Sequence, residues 1–62
     1  MFKFGNIVKD NKGQIGVVVR EWQDNSYDVY IRNYENIETY SGDELKYYTY
    51  GREIKPDGEV IY

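Results

Sequence analysis

The side chains of this chain that could do chemistry are carboxylates, eight tyrosines and one tryptophan; histidine and cysteine are absent. A Ser-His-Asp or Cys-His arrangement therefore cannot be built, and thiolate or imidazole metal sites are excluded. Asp43 and Glu44 form the adjacent acidic pair. Sequence neighbours do not converge on one substrate atom, and Ser41, three residues before Glu44, gives the pair a capping role instead. No glycine pattern matches a phosphate loop. These residues point to a non-enzymatic protein with no cofactor and no metal.

The remaining chemistry is that of binding. Residues 25–51 hold seven of the eight tyrosines. In a domain this small such rings supply the apolar area of the core, yet they cannot all be hidden in so little interior. With Tyr27, Val29, Ile31, Leu45 and Tyr48 assigned to the core, Trp22, Tyr30, Tyr34, Tyr47 and Tyr50 compete for the rest. Trp22, Tyr30 and Tyr34, rimmed by Asp24, Asp28 and Glu35, form the candidate binding surface, with Trp22 as its anchor.

Charge qualifies what such a surface would hold. The net charge is −3, with residues 1–20 at +3 and residues 21–62 at −6. A polyanion is repelled by most of the chain, which favours a protein or peptide partner over nucleic acid. Two alternatives stay open: a nucleic-acid binder using Lys9, Lys12, Arg20 and Arg32, and an acidic imitator of nucleic acid that occupies a basic groove on an enzyme. The expected oligomeric state is a monomer or weak homodimer.

The elements that must position these residues are strands. Phe2, Phe4 and Val8 share one parity in "FKFGNIVK", and "DNKG" supplies hairpin turn chemistry. In "QIGVVVREW", Ile15, Val17 and Val19 oppose Val18, Arg20 and Trp22, with a bend expected at Gly16. After the "QDNS" turn, "YDVYIRN" alternates cleanly, which assigns Tyr27, Val29 and Ile31 to the core. "YEN" is a further tight connection and "IETYS" a short fourth strand. "SGDE" predicts a 3₁₀ turn, Leu45 plugs one end of the core, and "KYYTY" is a fifth strand. "REIKPDGEVIY" predicts a terminal hairpin about the "KPDG" turn, packing Ile54, Val60 and Ile61 on the rest.

This pattern predicts an all-β fold: a five-stranded SH3-like barrel over residues 1–51, with a 3₁₀ turn before the last barrel strand, and a C-terminal β-hairpin over 52–62. "FGNIVKDNKGQIGVVV" is similar to the opening of many SH3-like and KOW-type barrels. "YDVYIRN", "IETYSGDEL" and "KYY" resemble the later strands of small SH3-like proteins encoded by Gram-positive bacteria and their phages. The lone Trp22 departs from the proline-recognising signalling SH3 domains, and the acidic balance departs from the basic KOW domains. "MFKFGNIVKDNKG" lacks the apolar run of a signal peptide and no window approaches a membrane span, so a cytoplasmic location is expected.

Overall fold

A computed structural model describes residues 2–49, 51–54 and, for the backbone, 60–61. Its strands are β1 (Ile7–Asp10), β2 (Ile15–Glu21), β3 (Ser26–Ile31), β4 (Asn36–Ser41), β5 (Leu45–Thr49), β6 (Arg52–Ile54) and β7 (Val60–Ile61), with a 3₁₀ turn at Gly42–Glu44. All pair antiparallel in one sheet of order β4-β3-β2-β1-β5-β6-β7. The sheet is open. Where the sequence predicts a closed five-stranded barrel, β4 and β7 remain separate edges, because β6 extends the sheet beyond β5 (Tyr47 opposite Ile54).

Side-chain alternation sets the two faces. Along β3, Tyr27, Val29 and Ile31 are buried while Asp28 and Tyr30 are half-buried, as the period of two requires. The core adds Phe2, Val8, Val18, Tyr40 and Leu45, with Tyr47 packed against it. Phe2 meets Tyr27 edge to face, the ring centroids 5.3 Å apart, and tilts over Tyr47 at 4.6 Å. Such aromatic pairs contribute beyond the area they bury.

Three expectations are corrected. Phe4 does not share the fate of Phe2 and Val8: the chain turns at Gly5, whose φ is 89°, and β1 begins only at Ile7, so Phe4 is exposed. Gly16 is not a bend. It stands beside β3 as the ladder partner of Ile31, where an added Cβ would come within 2.5 Å of the Tyr30 carbonyl oxygen, and the irregularity of β2 falls between Val18 and Arg20. Tyr48 is not the core tyrosine of β5. With Leu45 buried, the period of two carries Tyr47 inward and Tyr48 to the other face.

The turns follow their residue chemistry. Asp10 Oδ1 accepts the Lys12 and Gln14 amides at 2.9 and 2.7 Å, and Gly13 supplies φ of 84°. At the 3₁₀ turn the Ser41 amide donates to Glu44 Oε1 at 2.8 Å, the reciprocal contact expected of that spacing. β6 and β7 pair as the expected terminal hairpin, Glu53 opposite Ile61. The "KPDG" turn, the packing of Val60 and Ile61, and Tyr50 lie outside the described residues.

Candidate binding surface

The outer face of the sheet carries an apolar row in cross-strand register. Ile7 stands opposite Val17, Val17 opposite Tyr30, and Tyr30 opposite Ile37. Directly opposed residues share a face, so these four side chains run side by side across β1, β2, β3 and β4. Ile7 and Ile37, at the ends, are 47% and 55% exposed. A shallow groove beside the row is lined by Ile7, Ile15, Val17, Tyr30, Arg32 and Tyr48.

One end of this face, near the β2–β3 turn, holds a polar cluster. The Trp22 indole Nε1–H donates to Asp28 Oδ1 at 3.0 Å, the Thr39 hydroxyl donates to the same oxygen at 2.6 Å, and the Arg20 guanidinium lies 3.9 Å from the centre of the Trp22 ring. The Thr39 and Trp22 hydrogen bonds, with Arg20 nearby, hold the Asp28 carboxyl below its ordinary value. At the β1–β5 side, Lys9 and Lys46 share Glu53 at 3.6 and 3.7 Å. Lys9 also lies 5.5 Å from the Tyr48 ring centre.

The structure distributes the six candidate residues along β3 rather than gathering them. Tyr30 is central and Glu35 borders its groove. Trp22, Asp24 and Asp28 lie at the β2–β3 end, with Trp22 42% exposed and Asp24 accepting the Ser26 amide within its own turn. Tyr34, 66% exposed, stands on the β3–β4 turn at the other end of β3, about 20 Å away for a strand of this length. Asp28 is engaged by three neighbours, and is not a free acidic rim. No protein-family model, curated protein or solved structure matches this chain.

Ile7, Val17 and Ile37 were not among the candidates. The signal for Val17 was the apolar residues of both parities in β2, which marks two usable faces without saying which faces the core; Ile7 and Ile37, on β1 and β4, are placed beside it only by the strand register. A buried polar contact was also missed. Tyr40 Oη lies 2.7 Å from Asp10 Oδ2 and 2.9 Å from Glu38 Oε2, and its phenol is raised well above its ordinary value by burial first and by these carboxylates second. This contact ties β4 to the β1–β2 turn. Among the described residues no three acidic side chains converge on a metal position, and no helix is long and apolar enough to cross a membrane.

Proposed function

We propose that the chain is a small non-enzymatic binding module of SH3-like kind that holds a protein partner on the outer face of its sheet. The strand order β4-β3-β2-β1-β5, with a 3₁₀ turn between β4 and β5, supports the SH3-like part of this reading. The observation that carries the function is the row Ile7, Val17, Tyr30, Ile37. Two exposed isoleucines flanking a half-buried tyrosine and valine leave apolar area in water, and covering the exposed half of an isoleucine contributes about half of the ~1.5–3 kcal/mol of full burial. Tyrosine at the centre suits an interface, since its hydroxyl tolerates water.

The test compares capture of the same partner from source extract by the wild-type protein and by folded variants. Ile7→Asp and Tyr30→Asp are expected to abolish capture, while Trp22→Ala and Tyr34→Ala, away from the row, weaken it less. Undiminished capture by Ile7→Asp and Tyr30→Asp would remove the reading. One observation favours nucleic acid as a second reading: Lys9, Arg20 and Lys46 stand on the same face as Tyr30 and Tyr48 by their pairing, and Arg32 lines the groove beside both tyrosines. A single-stranded probe whose mobility shift vanishes steeply with salt would support it.

A further inference from the structure

Among the described residues no strand lies beside the outer edge of β4. β4 pairs with β3 alone among the described strands, in unbroken register from Ser26 opposite Ser41 to Ile31 opposite Asn36, and it contains no proline, no lysine and no bulge. Proline, lysine, bulges and inward-pointing charges are the usual devices that keep another strand off an edge; the one present here is Glu38, opposite buried Val29, which opposes an acidic or uncharged strand but not a basic one. The direction of its backbone groups follows from its ends. The Ser41 amide is taken by Glu44, the Ser26 amide by Asp24, and the Ser26 carbonyl by Trp22, so Ser26 and Ser41 do not bond each other; Gly42 does bond Asn25, at 2.9 Å. Alternation from that point makes Tyr27–Tyr40, Val29–Glu38 and Ile31–Asn36 the bonded pairs. The amides and carbonyls of Ile37 and Thr39 then point away from β3.

The charge along this edge has one sign. Residues 33–45 carry Glu35, Glu38, Asp43 and Glu44 and no lysine or arginine. The side chain of Ile37 stands beside the edge on the outer face, at the end of the apolar row. We infer that β4 is extended by an added strand from a partner protein, a segment alternating basic and apolar residues. It bonds the free groups of Ile37 and Thr39, sets an apolar side chain beside Ile37, and brings lysine or arginine towards Glu38 and its acidic neighbours. This rests on the protein-binding reading and names its mode and partner class. A second copy of the chain fits less well, because its own β4 segment brings the same acidic side chains and no lysine or arginine to the edge.

The experiment uses the intact protein and a short capped peptide alternating lysine with valine, followed by amide hydrogen exchange and chemical-shift titration. Binding is expected to protect the Ile37 and Thr39 amides. The same peptide N-methylated on alternate residues keeps its charges and side chains but loses one bonding edge, and is expected to bind roughly tenfold more weakly or worse. A glutamate–valine peptide is expected not to bind, and Glu38→Lys is expected to weaken the lysine peptide. Absence of binding, protection elsewhere than β4, or equal affinity of the N-methylated peptide would each overturn the inference. So would protection of Ile37 and Thr39 that rises with protein concentration alone, which identifies a second copy as the occupant. Loss of capture by Tyr30→Asp together with an unprotected β4 would leave the face reading standing and remove only the edge.

Discussion

Gly16→Ala tests the packing of β2 against β3 with a single methyl group. The added Cβ would lie 2.5 Å from the Tyr30 carbonyl oxygen, 2.6 Å from Val29 Cγ1 and 3.2 Å from Ile31 Cδ1. The valine and isoleucine methyls belong to fully buried core side chains, and the carbonyl belongs to a ladder in which Gly16 faces Ile31. None of these can swing aside, so β2 and β3 must part. Overpacking of this kind costs about 1–3 kcal/mol, offset by about 0.4–1 kcal/mol from the reduced freedom of alanine in the unfolded chain. The central values leave a net cost of about 1.3 kcal/mol, and at about 4–8 °C per kcal/mol for a domain of this size the melting temperature should fall by roughly 5–10 °C. Gly42→Ala is the control. Its Cβ would meet the Asn25 side-chain amide at 2.8 Å, which can rotate at the loss of its contact with the Tyr27 hydroxyl, so its cost should be smaller. Thermal melts followed by circular dichroism decide the matter: a Gly16→Ala protein that melts with the wild type, or above Gly42→Ala, would refute the close approach.

Val29→Asp buries a carboxylate at a position 1% exposed, at a cost of several kcal/mol, and should unfold the domain; Tyr30→Asp, on the other face, should remain folded, and equal loss of the far-UV signal in both would refute the assignment of faces. Tyr40→Phe leaves the buried Asp10 without its hydroxyl donor and should cost about 1–3 kcal/mol at neutral pH. Because the folded Tyr40 phenol ionises above the unfolded value of about 10, its stabilisation is complete below about pH 10 and is lost as pH rises through the folded value. Urea melts across alkaline pH should therefore slope less steeply in Tyr40→Phe, with Tyr47, raised chiefly by burial, keeping part of the slope; an unchanged slope would refute the linkage.

What the sequence disclosed was local. Clean alternation in β3 identified Tyr27, Val29 and Ile31 as core, and the Ser41–Glu44 spacing identified the 3₁₀ turn, because each depends on residues within one turn or strand. Gly16 and Tyr47 depend on what lies across the sheet. A glycine inside a strand reads as a bend until the carbonyl of Tyr30 is seen against it. In "LKYYT" two adjacent tyrosines fit either parity, and only Leu45 in the core selects Tyr47. The candidate surface was legible at Tyr30 alone. Trp22 and Tyr34 were grouped with it by the loops beside the 3₁₀ turn where SH3-like barrels usually hold ligands, and β3 holds their turns apart.

The ladder between β1 and β5 has a consequence for how the chain folds. Every other ladder among the described strands joins strands consecutive in sequence, whereas this one sets Val8 against Tyr47. Val8 also faces Gly16 in the first hairpin. The logarithmic dependence of loop closure on length makes the longer closure about 1.4 kcal/mol more costly in chain entropy than the shorter. The hairpins of β1 through β4 can form from nearby segments, and β1 then offers β5 a prepared edge. On this entropy argument the docking of β5, which brings Leu45 and Tyr47 to the core, is expected to be the slow step of folding.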